Sequence, residues 1–300
     1  MKSPVVLAFA GGIHASAAIP WLGDTMGVEV VTVTLDVGQG SELGALRARA
    51  LACGAARAHV VDARDDFARE VLFPGLATQP AEATARAIAA QSWPLIARKL
   101  VEIARIENAG AVAHGSTDPG FDAAIRTVDS SMPIIAPARE WTMSDADLVS
   151  YARARRLPVQ AAARSDCRID QNLWGRIVTW TSEDVPATAQ TRTAGARLTE
   201  PATIDLHFEH SVPTSVNGVP MSPAELVECL ALIGGQHGIG RTVVSAHGRS
   251  VLYDAPAATM LHAAASAAGR SASADVCLKL AGREYTVLSP DDRHALLVNA

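Results

Sequence analysis

The 300-residue chain lacks any uninterrupted apolar run of about 18 residues, so it offers no candidate for a membrane-spanning helix. Its opening, Met1-Lys2-Ser3-Pro4, leads straight into a strand-like stretch and shows no secretory signal. Positive charge is in short supply: 26 Lys and Arg against 31 Asp and Glu give a net −5, which argues against general nucleic-acid binding. Cysteine is sparse too. Cys53, Cys167, Cys229 and Cys277 stand far apart with no CxxC pair, so neither a zinc cluster nor a disulfide framework is expected. Each reads as a small buried hydrophobe in a reducing compartment, and the expectation is a cytoplasmic protein without a metal site. What is present fits a folded chain. Apolar residues make up 49% and charged ones 19%, which excludes a disordered polymer, and the length suffices for two domains or one large one.

The first half alternates between strand and helix patterns. Val5–Ala10, Glu29–Val37, Ala58–Asp62, Ala111–Gly115 and Pro133–Pro137 read as strands. Ser16–Gly23, Ser41–Ala52, a long stretch over Pro80–Ala109 interrupted near Pro94, and Asp145–Arg156 read as helices. That alternation predicts a parallel, doubly wound sheet, whose ligands sit beyond the carboxyl ends of its strands. The segments at that edge are Ala10–Ser16, Leu35–Gly40 and Gly115–Asp122. After about residue 165 the pattern becomes α+β. Strands are expected at Thr203–Phe208, Val212–Val216, Thr242–Val244 and Val251–Tyr253, with a terminal hairpin at Cys277–Leu280 and Glu284–Val287. Helices are expected at Ser222–Gly235, with a capping box, and at Ala257–Ala267. The domain division is therefore placed at 1–165 and 166–300.

A strand, then Gly11-Gly12, then a helix is a general phosphate-binding arrangement, because backbone N–H groups and the helix N-terminus face an anion. It is equally an ordinary tight turn. The blocks Val5–Ser16 (VVLAFAGGIHAS), Val31–Gly40 (VTVTLDVGQG), Ala113–Asp122 (AHGSTDPGFD) and Ile169–Arg176 (IDQNLWGR) decide further. With Val212–Gly218 (VPTSVNG), His237–Arg241 (HGIGR) and Tyr253–Met260 (YDAPAATM), they resemble argininosuccinate synthase, of the ATP-pyrophosphatase (PP-loop) group. The resemblance implies an α/β, Rossmann-like (HUP-type) parallel-sheet domain followed by an α+β synthetase-like domain. It also implies a ligase that joins citrulline to aspartate while ATP is cleaved to AMP and pyrophosphate through an adenylated citrulline.

The resemblance places the nucleotide and its phosphates at Ala10, Gly11, Gly12, Ser16, Leu35 and Gly115, and the substrates at Thr117, Asp122 and Tyr253. The family's S-G-G-L-D-T-S loop carries Ala10 for serine, His14 for aspartate and Ala15 for threonine. Two hydroxyl donors and a hard oxygen ligand for magnesium are thereby lost. In the family's G-x-T-G-K-G-N-D-Q-V-R motif, Pro119, Phe121 and Ile125 replace lysine, asparagine and arginine, and Arg126 lies one position late. Ala85, Ala89, Arg168, Ile177 and Thr179 stand at further polar positions, and Trp93 at an arginine. Asp122 reads equally well as an acid favoured by a helix N-terminus.

From these departures we expect a divergent homologue with degraded ATP and citrulline motifs and without the family's C-terminal tail. It would have lost the usual chemistry and would use the old cleft for another small-molecule reaction. The alternatives are a non-catalytic partner subunit and an authentic ATP-dependent argininosuccinate synthase. His14 and Asp122 are the candidate catalytic groups, with His14 as acid or base at the helix start. Arg126 and Arg168 add cations beside a more apolar wall, which suits a ligand with an apolar body and an anionic end. No cofactor is certain, and ATP is expected to bind only weakly. Without the tail, a monomer or dimer is expected in place of a tetramer. His207 and His210 are three apart in a strand and fall on opposite faces, so they are not expected to share a metal.

Overall fold

Short runs rich in Val, Ile and Ala form the first sheet, because strands covered on both faces need no polar alternation. The computed structural model describes residues 2–40, 43–76, 88, 91–158, 167–181, 186, 200–246 and 248–292. The chain divides into two compact units. One comprises Met1–Asp36, Gly40–Ala63 and Ala89–Arg164, and the other Val37–Gln39, Arg64–Ile88 and Ser165–Ala300.

In the first unit the strands are β1 (Val5–Ala8), β2 (Val30–Asp36), β3 (Arg57–Asp62), β4 (Ala111–Ala113) and β5 (Ile134–Ile135). They pair in the order β3-β2-β1-β4-β5, all parallel, with Val6 opposite Val31 and Val112. The helices are α1 (Ile13–Met26), α2 (Leu43–Ala52), α3 (Trp93–Ile106), α4 (Gly120–Val128), α5 (Pro137–Glu140) and α6 (Asp145–Ala154). One side of the sheet packs Val5, Leu7 and Phe9 against Ala18, Ile19 and Leu22 of α1. The other packs Val6, Val31 and Val33 against Ala97, Leu100, Val101 and Ala104 of α3, spaced at one helical face. Pro94 lies in the first turn of α3, where a missing N–H is harmless. Ala85 and Ala89 lie outside the described residues.

The second unit opens with a run of helical turns over Arg64–Gly75. It then builds two antiparallel sheets from β6 (Cys167–Asn172), β7 (Gly175–Trp180), β8 (Ala202–Glu209), β9 (Val212–Val216), β10 (Val219–Pro220), β11 (Arg241–Ala246), β12 (Arg249–Asp254), β13 (Ser273–Ala281) and β14 (Glu284–Val287). Their orders are β10-β9-β8-β13-β14 and β11-β12-β7-β6. Helices α7 (Pro223–Gln236) and α8 (Pro256–Ala268) complete it. The fold class is therefore a Rossmann-like parallel-sheet domain followed by an α+β domain.

Candidate functional site

In the first sheet the strand order turns back between β1 and β4, and this is where doubly wound sheets form their ligand crevice. Two loops meet there: Phe9–Gly12 after β1 and His114–Pro119 after β4. A Cβ built on Gly115 would lie 3.8 Å from His14 Cβ and 3.9 Å from the Ala15 nitrogen. The first loop is anchored from below, since Phe9 N–H donates to Val33 O at 2.8 Å and the buried Thr34 hydroxyl donates to Phe9 O at 2.9 Å.

Gly11 then turns with φ of +78°, a left-handed value that favours glycine, and Gly12 is the extended N-cap of α1. The first rung of that helix is Ser16 N–H to Gly12 O at 2.9 Å. The N–H groups of Ile13, His14 and Ala15 therefore stand outside the helical ladder, and among the described residues no side chain caps them. Ala10 and Gly12 are exposed on this loop and Ala15 is buried. Ser16 is also fully buried; it faces the core beside Cys53, whose thiol burial pushes up, and so does not project into the loop.

His14 stays about half exposed. Its Nε2 is 3.9 Å from Asp145 Oδ1, and its ring tilts against Trp141 at 6.2 Å. Behind the second loop lies a buried group that sequence reasoning did not single out. His114 accepts the Ser116 N–H at Nδ1 (3.2 Å), so its Nε2 carries the proton donated to Asp122 Oδ1 at 2.9 Å. Arg139 Nη2 donates to both Asp122 oxygens, at 2.9 and 2.7 Å. Burial lowers the basicity of His114, with Asp122 opposing, which keeps the imidazole neutral at ordinary pH. Burial alone would raise the Asp122 carboxyl, but the Arg139 and His114 contacts outweigh it and hold the group below the usual range. The signal for this trio was not local, because its members are 8 and 17 residues apart.

Thr117 is exposed at the tip of the same loop, and Leu35 lies near the end of β2. Arg126 is exposed in the last turn of α4. Of the residues expected to make the wall more apolar, Ala85 and Ala89 lie outside the described residues. Ile125 is fully buried in the core on α3, and Phe121 packs between Trp93 (6.3 Å) and His114 (4.8 Å). Gly120 is required there, since a Cβ would fall 2.4 Å from the Trp93 ring.

Tyr253 and Arg168 belong to the second unit. Tyr253 lies opposite Ile177, which lies opposite Asp170. Arg168 is exposed, opposite Thr179, and paired with Asp170 at 3.1 Å. The recurring blocks of this unit serve close packing. Leu173 N–H donates to Val37 O at 2.7 Å, and a Cβ on Gly38 would come within 2.7 Å of the Leu173 backbone. A Cβ on Gly175 would strike Ala255 at 2.6 Å, and one on Gly240 would strike the Ala255 carbonyl at 2.6 Å. Burial raises the Asp254 carboxyl, against the opposing charges of Arg176 and Arg241. His207 lies on β8 with Asp275 at 2.7 Å, whereas His210 sits in the following turn with φ of +51°. Among the described residues no three His, Cys, Asp or Glu side chains converge as metal ligands.

A glycine turn at the reversal point of a parallel sheet, opening onto the bare N-terminus of a helix, defines a nucleotide-binding α/β protein of the HUP class. Residues 4–158 match the argininosuccinate synthase N-terminal HUP domain, and residues 167–270 match the argininosuccinate synthase C-terminal domain. The chain belongs to the argininosuccinate synthase family. It is 37% identical over 284 residues to the argininosuccinate synthase of Dehalococcoides mccartyi, covering 88% of this chain and 70% of that protein. The Oceanobacillus iheyensis enzyme is 37% identical over 282 residues (88% and 67%), and the Bacillus velezensis enzyme 40% over 255 residues (80% and 62%).

These likenesses correct the expectation of a divergent homologue that has left the family's citrulline and ATP chemistry. Both domains match in order, and more than a third of positions agree over most of the chain. The physical reason lies in the loop. Its main-chain N–H groups, the kind of donor that suits an anion at a helix start, are left in place by the changes at Ala10, His14 and Ala15.

Proposed function

We propose that the protein is an ATP-dependent carbon–nitrogen ligase that makes argininosuccinate from citrulline and aspartate. The observation that carries this reading is the match to both family domains in order, joined to a glycine loop whose N–H groups at Ile13, His14 and Ala15 stand outside the helical ladder. In this reading the loop Ala10–Gly12 and the start of α1 hold the ATP phosphates, and the backbone near Leu35 and Gly115 faces the base.

The ureido oxygen of citrulline attacks the α-phosphorus and pyrophosphate leaves. The aspartate amine then displaces AMP from the adenylated carbon. Asp122, ionised and oriented by His114 and Arg139, offers an anion for a substrate ammonium group beside Thr117. Four free cysteines support a reducing, cytoplasmic setting, and among the described residues no helix is long and apolar enough to cross a membrane. The test is pyrophosphate release with citrulline, aspartate and ATP, each omitted in turn. Turnover in the common range of about 1–10³ s⁻¹ that requires all three supports the proposal. Release that ignores citrulline or aspartate, or no release at all, refutes it.

A further inference from the structure

Arg49, in the last turn of α2, reaches back thirty-eight positions to the glycine loop. Its Nη1 donates to the Gly11 carbonyl at 3.1 Å. The fit is close from both sides: a Cβ on Gly11 would lie 2.4 Å from Leu46 Cδ2 and 3.1 Å from Arg49 Nη1. Helix α2 is thus seated on the turn, and the Gly11 side chain is a hydrogen because Leu46 occupies the space. Arg49 is partly buried, and no carboxylate partners it among the described residues.

The geometry has a direct consequence for the loop. In a planar trans peptide the C=O and the following N–H point in opposite directions. Holding the Gly11 carbonyl toward α2 therefore aims the Gly12 N–H away from α2. Two successive glycines make this peptide the easiest in the loop to flip. A flip would present a carbonyl oxygen, a partial negative charge, where a phosphate oxygen is to bind. A guanidinium on the carbonyl opposes that flip with a charge-assisted bond.

We propose that Arg49 is the positioning residue of the phosphate loop, fixing the Gly11–Gly12 peptide so that the Gly12 N–H serves the anion. The proposal rests on reading this loop as the phosphate site, and its test separates the two. Inorganic pyrophosphate, ATP and adenosine are titrated calorimetrically into the wild type, Arg49→Met and Arg49→Lys. Thermal unfolding of each variant reports its fold, and the Gly12 amide resonance is followed by NMR at saturating pyrophosphate.

The expected result is a loss of about 10–100-fold in pyrophosphate and ATP affinity for Arg49→Met, with adenosine binding unchanged. Arg49→Lys, which keeps a cationic donor, should recover most of the loss. The Gly12 amide should shift on pyrophosphate addition in the wild type and Arg49→Lys but not in Arg49→Met. Unchanged pyrophosphate affinity in folded Arg49→Met overturns the proposal. So does an equal loss for adenosine, or a Gly12 amide that still shifts fully at saturation, which would make Arg49 a direct ligand. If Arg49→Met does not fold, Arg49→Lys carries the decision: a wild-type Gly12 shift supports the proposal, and its absence with intact affinity overturns it. A wild type that binds neither pyrophosphate nor ATP removes the phosphate site itself and the proposal with it.

Discussion

Asp129 shows how far single contacts shape the acid behaviour of the chain. Its carboxyl is pulled down to about 2, chiefly by the Ser131 hydroxyl and then by Arg105 at 2.8 Å. An unfolded aspartate titrates near 3.9, so as pH falls the unfolded chain takes up this proton first. The stability that Asp129 adds is complete above about pH 4 and is lost on the way down to about 2. Asp129→Asn should lower the melting temperature at neutral pH and match the wild type near pH 2, as a thermal-unfolding series would show. His14 gives a second prediction. A histidine offers no hard oxygen to magnesium, whereas an aspartate at the same position would. His14→Asp should tighten ATP by about tenfold in the ion's presence, read by titration with and without magnesium. At this scale the sequence was only partly legible. The glycines of the loop announced themselves, but Ser16 gave no sign that it faces Cys53, and Ile125 none that it fills a core. His114 was a lone histidine until the fold brought Asp122 and Arg139 to it.

Elements were easier to read where composition and periodicity agreed. Val212–Val216 and Glu284–Val287 fall where the pattern put them, and α7 begins at the Ser222 capping box, with Ser222 N–H on Glu225 at 2.9 Å. Ser222→Ala should cost about 1 kcal/mol in denaturant unfolding, since it frees the Glu225 N–H. The β6–β7 hairpin was not legible as strand. Arg168, Asp170, Gln171 and Asn172 have little strand preference; they form strand by pairing with β7, whose other edge pairs with β12. Its turn depends instead on contacts elsewhere, through Leu173 on Val37 and Gly175 on Ala255. Gly240→Ala tests that packing. With φ of +68° and a Cβ 2.6 Å from both Ala255 O and Thr259 Oγ1, it should destabilise by more than about 1 kcal/mol.

At the scale of the whole molecule, association is the property most open to measurement. The second unit's larger sheet ends in the two-residue β10, which carries Pro220, and in β14, which opens with Glu284. Both features discourage edge-to-edge addition of another strand. Light scattering at low micromolar concentration should report a monomer or dimer, and a stable tetramer would show association through another surface.

The division of the chain also bears on how it is made. Each unit borrows from distant stretches, and the second needs Val37–Gln39 and Arg64–Ile88 as well as everything from Ser165 onward. During vectorial synthesis the first unit can close only after its last segment has emerged, while the early segments of the second wait for the chain from Ser165 onward. A nick near residue 165 would therefore leave the first unit whole and split the second, whose piece from Ser165 onward lacks Val37–Gln39 and Arg64–Ile88. In split-protein reporters or halves expressed separately, those two segments would have to pass from the first half to the second before the second unit became whole.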